Sequence, residues 1–233
     1  MVRETIVPDS LDDAAASSRR EDGSTRRRLL EIAEEVFAER GFERTSLRDL
    51  TRRAGANLAS VSYHFGSKTG LLEALLGRKI AAVNDQRIDL LEAAKQTAGG
   101  APVPVRGIVR ALIGPLMARG EQFNNPCMVM MSRMLMEQPE FAEKIFEKHF
   151  AKVHRAFREE FNRTLPALSH DDITWRLHFT VALMLGAINQ RHRIKYLSSG
   201  ALDAEDWATT ERHLIEFITA AWLAPASVES EAS

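Results

Sequence analysis

Apolar side chains recur at helical spacing along almost the whole chain, and no stretch alternates as a strand would. Between Thr25 and Arg40 the apolar positions are Leu29, Ile32, Ala33, Val36 and Phe37, an i, i+3, i+4, i+7, i+8 stripe that predicts a helix with one buried face. Gly41 follows, where a left-handed cap would close it. Ser46, with Asp49 three residues on, reads as the capped start of a second helix that reaches Ala54 and stops at Gly55. A short third helix is expected over Leu58–His64, and a long fourth from Ser67 to about Ala98. The run GGAPVP at 99–104 then breaks the pattern and reads as the best domain boundary.

Five more helical stretches follow. Val105–Arg119 contains Gly114-Pro115, which should kink it, and Pro126–Gln138 begins with proline after Asn125, a good cap. Pro139–Thr164 is long and ends ahead of Pro166. Ser169 and Asp172 open a helix expected to reach Leu197, and Asp203 and Asp206 open the last, which ends before Pro225. The predicted fold class is therefore all-α. We divide the chain into a flexible tail (1–22), an N-terminal three-helix domain (23–70), a larger helical domain (71–226) and a frayed end (227–233). No internal repeat is present.

Composition narrows the class. The chain is 45% hydrophobic and 27% charged, an ordinary balance for a soluble protein, and no run is long enough for a membrane span. The first residues, MVRETIVPDSLDDAAASSRRED, lack the apolar segment of a secretory leader, so the expected compartment is the cytoplasm. The single cysteine, Cys127, fits that compartment. Net charge is −1, but its distribution is uneven. Residues 19–68 hold eleven basic and eight acidic side chains, whereas residues 1–18 hold one basic and four acidic. The local positive charge surrounds the segment with the most specific pattern.

That segment is GFERTSLRDLTRRAGANLASVSYHFGSKTGLLEALL, residues 41–76. It reads as two short helices around a glycine-containing turn, with Leu47, Leu50, Ala54, Val61 and Phe65 spaced to pack on the first helix and Gly55 placed where the chain turns. The outward side chains of the third helix are short or polar: Asn57, Ala59, Ser60, Ser62, Tyr63 and His64. Such a helix can lie deep in a major groove and reach base edges and phosphates.

The glycine turn at Gly55, the aromatic-His-Phe run Tyr63-His64-Phe65 and Lys68 together resemble the DNA-binding domain of the TetR family over about 50 residues. The resemblance implies phosphate contacts from His64 and Lys68, an approach to the backbone by Thr45 and Ser46, and a groove-facing surface of Leu58, Ala59, Ser60 and Ser62. It also implies a dimer on double-stranded, palindromic DNA, released by a small-molecule effector, with no cofactor. Ser62 stands where many members have tyrosine, and Thr51 where alanine is usual. The wording NLASVSYHFGSK is similar to a PsrA-like branch, some of whose members respond to fatty acids. Arg48, Arg52 and Arg53 on the second helix are read first as solvated or ion-paired side chains.

The C-terminal stretches supply candidates for an effector site and an interface. Cys127, Met128, Met131, Met134 and Leu135 share one helical face, which is flexible core or the lining of an adaptable apolar pocket. Met128, Met131, Leu135, Phe146, Phe150, Phe179 and Met184 are the candidate lining for an apolar effector such as a fatty acid or acyl thioester. A free acid would need a charged or polar partner, and the sequence singles none out. Arg133 falls one turn from Glu137 on the polar stripe. Lys144, Lys148 and Lys152 form a basic stripe on the expected long helix, either solvated or facing a thioester's polyanionic head. The run FTVALMLGAI at 179–188 needs cover on several faces, and Leu183, Gly186, Leu214, Ile218 and Trp222 are the candidate dimer interface. No His, Cys or carboxylate cluster suggests a metal, and GxSxG, P-loop and GxGxxG motifs are absent. The rival readings are an enzyme on a helical bundle, for which no residue set stands out, and an architectural DNA binder without an effector.

Overall fold

The structure, a computed structural model, describes residues 10–118 and 139–226, with side chains from Asp22 onward. All regular structure among these residues is helical: α1 (Ser10–Arg44), α2 (Leu47–Arg53), α3 (Leu58–Phe65), α4 (Lys68–Thr97), α5 (Val105–Met117), α6 (Pro139–His149), α7 (Ala151–Thr164), α8 (His170–Asn189), α9 (Arg193–Leu197) and α10 (Trp207–Leu223). The expected helix at 126–138 lies outside the described residues, and with it Cys127, Met128, Met131, Arg133, Met134, Leu135 and Glu137.

Helix α1 starts at Ser10, well ahead of Thr25, so residues 10–22 are helical where a flexible tail was expected. Gly41 adopts φ 76°, and the residues after it form a separate last turn. The expected helix over 139–164 is divided at Phe150 into α6 and α7, and the one expected to reach Leu197 is divided after Asn189 into α8 and α9.

The chain forms two compact units, Met1–Leu76 and Gly77–Ser233. The division falls inside α4, not at the break 99–104. Beyond Leu76, α4 carries its own apolar stripe into the second unit: Leu91 is part of that unit's core, with Ile88, Ala94 and Ala98 packed against it. In the first unit α1, α2 and α3 pack on one another around Leu29, Leu30, Ala33, Val36, Phe37, Leu50 and Val61, all buried.

In the second unit α5 packs against α10 and α7, and α8 packs against α7 and α10. Its centre is a stack of Phe161 on Trp222, ring centroids 3.5 Å apart and nearly parallel. Trp222 Nε1 donates to Thr180 Oγ1 at 2.9 Å, so burying the indole leaves no polar atom unmet. Arg176 on α8 donates to the carbonyls of Trp222, Ala224 and Pro225 at 2.6–3.0 Å, satisfying the orphaned C-terminal end of α10. Ser169 and Asp172, expected to open α8, cap it reciprocally.

Candidate nucleic-acid interface

The helix-turn-helix is built by local caps. The Ser46 hydroxyl accepts from the Asp49 amide at 3.1 Å and opens α2. Gly55, at φ 60°, makes the turn that a side chain would strain. Asn57 opens α3, its Oδ1 accepting from both the amide (2.8 Å) and the hydroxyl (2.9 Å) of Ser60. Val61 is fully buried beneath α3, which leaves one face outward. On that face Leu58 is 45% and Tyr63 77% exposed, and Ala59 and Ser62 are exposed beside them. Tyr63 and Ala59 help to line a concave surface of about 400 Å³, together with Asp22, Thr25, Asn57, Ser60 and His64.

The structure does not leave every predicted contact residue free. Thr45 is buried, and its hydroxyl donates to the Gly41 carbonyl at 2.8 Å, so it fastens the end of α1 instead of facing outward. Lys68 is engaged as well. Its ammonium donates to the carbonyls of Phe42 (2.8 Å), Thr45 (3.0 Å) and Glu43 (3.4 Å) and lies 4.3 Å from the centroid of the Phe42 ring. A helix C-terminus presents carbonyls with no internal donors, and a cation with three N–H groups meets them well. The His64 side chain is only 7% exposed, with Nε2 3.4 Å from Asp22 Oδ1 on α1. Ser60 is half-buried and its hydroxyl is committed to Asn57.

The α2 arginines are largely paired. Asp49 meets Arg40 at 2.7 Å and also Arg52, and Glu39 meets Arg53 at 2.9 Å. Arg48 stands exposed. Gly70 has a role that its sequence position does not announce. A Cβ there would lie 2.0 Å from the Phe65 carbonyl oxygen, so α4 can approach the end of α3 only with glycine at this position. A glycine three residues inside a helix start is the trace this leaves in the sequence.

In the second unit four of the candidate effector residues, Phe146, Phe150, Phe179 and Met184, lie among the described residues. Met184 is buried, Phe146 and Phe179 are 45% and 53% exposed, and the Phe150 ring meets that of Phe146 in a tilted arrangement, centroids 5.0 Å apart. The lysine stripe is exposed and divided between two helices, Lys144 and Lys148 on α6 and Lys152 on α7. Of the interface candidates, Ile218 and Trp222 are core residues, each 1% exposed, because α10 turns that stripe inward. Leu183 is 39% exposed, and among the described residues nothing lies within 4 Å of where a Cβ on Gly186 would stand. Leu183 and Gly186 continue a face of α8 that also carries Trp175 and Phe179, whose rings stack at 5.6 Å.

Two family models match the chain. One, described as bacterial regulatory proteins of the tetR family, covers residues 29–75, and the other, a tetracyclin repressor-like C-terminal domain, covers residues 110–221. The chain belongs to the TetR family. Members of this family are DNA-binding regulators, not enzymes. The HTH-type transcriptional repressor KstR2 of Rhodococcus jostii is 37% identical over 71 residues, which are 30% of this chain and 32% of that protein. The chain thus spans about a third or less of the length of the curated relatives it matches. Among solved structures, a TetR-family regulator from Mesorhizobium loti shares the fold with a TM-score of 0.57 at 19% identity, over 87% of this chain and 96% of that one. The fatty acid degradation regulator FadR of Bacillus halodurans has a TM-score of 0.58 at 11% identity, over 82% and 94%.

Proposed function

We propose that this protein is a sequence-specific transcription regulator, acting as a repressor that binds a palindromic operator as a homodimer and is released by a small lipophilic effector. The observation that carries the reading is the outward face of α3, where Leu58, Ala59, Ser62 and Tyr63 stand exposed on a helix whose other side is locked by Val61 and by the Asn57 cap. Leu58 and Ala59 suit the methyl group of thymine, and Ser62 and Tyr63 suit base edges and phosphates. Ser46 and Arg48, at the start of α2, add donors at the flank.

Dimerisation follows from the apolar face Trp175, Phe179, Leu183 and Gly186 of α8, with Phe217 and Leu223 exposed on α10. A contiguous apolar face of this kind is costly to leave in water. The lipophilic effector rests on the methionine- and phenylalanine-rich second unit, on the similarity of residues 57–68 to the PsrA-like branch, and on the solved relative described as a fatty acid degradation regulator. Release would act through α4, whose residues belong to both units, by changing the spacing of the two α3 helices relative to the half-sites.

The test is a titration of the protein into a labelled duplex selected for binding, followed by long-chain acids, their thioesters and polar metabolites. The reading predicts two chains per duplex and release by the lipophilic compounds. If a polar metabolite releases DNA and no lipophilic compound does, the effector assignment is wrong.

A further inference from the structure

Arg87 on α4 is 4% exposed, and its guanidinium meets only neutral groups among the described residues. Nε donates to the Leu112 carbonyl at 2.7 Å, Nη1 to Asn84 Oδ1 at 2.9 Å, and Nη2 lies 3.8 Å from Met184 Sδ. Asn84 is held in turn by its own amide, which donates to the His149 carbonyl at 2.7 Å. The cluster joins α4, α5, α6 and α8. Its Leu112 carbonyl lies beside that of Ala111, which Pro115 deprives of a helical donor.

A guanidinium buried without an opposite charge is costly, because neutral acceptors replace only part of its hydration. Desolvation lowers its pKa to about 10, so it remains a cation at neutral pH. The fork has five N–H groups, and these contacts leave donors on both terminal nitrogens. Val83 and Leu91, one turn to either side of it on α4, are buried, as is Leu112. A fixed cation with spare forked donors in an apolar setting has the chemistry of a carboxylate receptor.

We propose that Arg87 binds the carboxylate of an apolar acid, anchoring the effector of the second unit by its head while its tail lies among apolar side chains. This rests on the effector reading above and adds the head group that the sequence does not single out. Asn84 is the positioning residue: it holds Nη1 and so sets the angle of the fork.

The experiment compares decanoate with 1-decanol, equal in chain length but uncharged, by thermal melting and calorimetric titration of the full chain. Decanoate should bind at least about tenfold more tightly than the alcohol and raise the melting temperature. The Arg87→Met variant should lose that preference. Arg87→Lys, which keeps the charge without the fork, should retain part of it and covers the case in which the methionine variant does not fold. If decanoate fails to bind the unaltered chain, if the alcohol binds as well, or if Arg87→Met keeps the preference for the acid, Arg87 is a structural cation and the proposal is wrong. Decanoate that binds through Arg87 but leaves the DNA complex intact would overturn the release mechanism and not this site. A neutral compound that releases DNA from Arg87→Met and the unaltered chain alike would do the reverse.

Discussion

Lys68 Nζ lies 2.8 Å from the carbonyl oxygen of Phe42 and 4.3 Å from the centroid of the same residue's ring, so one cation closes the end of α1 and fixes the start of α4. The predicted consequence of Lys68→Met is a loss of stability in the N-terminal unit of roughly 1.5–3 kcal/mol, the contribution typical of hydrogen bonds from a charged donor. DNA affinity should fall with it, while the slope of affinity against salt stays unchanged, because the slope counts phosphate contacts. Urea unfolding and binding at several salt concentrations measure the two separately. A flatter slope with unchanged stability would return Lys68 to the phosphate backbone.

Asp22 places a carboxylate 3.4 Å from His64 Nε2 on the lining of the α3 concavity. DNA brought to this surface would meet that negative charge. Asp22→Asn should therefore raise affinity for all duplexes, by up to about fivefold, in line with the worth of one exposed charge pair. Anisotropy titrations at low salt give the comparison, and weaker binding by the variant would show that Asp22 is needed to hold His64 in place.

The sequence made the helix-turn-helix legible because its determinants are local. Ser46, Gly55 and Asn57 each act on residues one to three positions away, and the caps and turn stand where the pattern predicts. The roles of Lys68 and Thr45 were not legible. Lys68 reaches the Phe42 carbonyl across more than twenty residues, and the Thr45 hydroxyl turns back on Gly41, four residues away, where α1 kinks. Trp222 and Phe179 show the limit of periodicity: it finds an apolar stripe without telling a neighbouring helix from a second subunit. Arg87 could have been noticed, since it stands between Val83 and Leu91 at the buried position of an apolar stripe. What it bonds to became clear only once Asn84, Leu112 and Met184 were brought together.

Gly70→Ala should be more damaging than its small size suggests. The added methyl would meet a backbone carbonyl at 2.0 Å, which cannot turn aside as a side chain can. The expected cost is about 1–3 kcal/mol, the usual penalty for overpacking, together with a displaced α3 and weaker DNA binding. Chemical denaturation of the variant checks the first part. A variant as stable as the parent would mean that α4 can move away from Phe65 at little cost.

Two tryptophans separate core from interface. Trp222→Ala removes the partner of Phe161 and Thr180 and should cost about 3–5 kcal/mol. Trp175→Ala together with Phe179→Asp removes exposed side chains, so melting of the subunit should change little while the dimer dissociates. Sedimentation of both variants at matched concentration decides it. A dimer that survives the α8 pair contradicts the proposed interface.

The central claim is that two copies of α3 read two halves of one DNA site. Selection of bound molecules from a pool of random duplexes by the full chain, followed by sequencing, tests this most directly. The account predicts a two-fold symmetric motif whose half-sites lie about one helical turn apart, roughly 34–36 Å. Recovery of unenriched sequence, or of a single half-site without its symmetric mate, would contradict it.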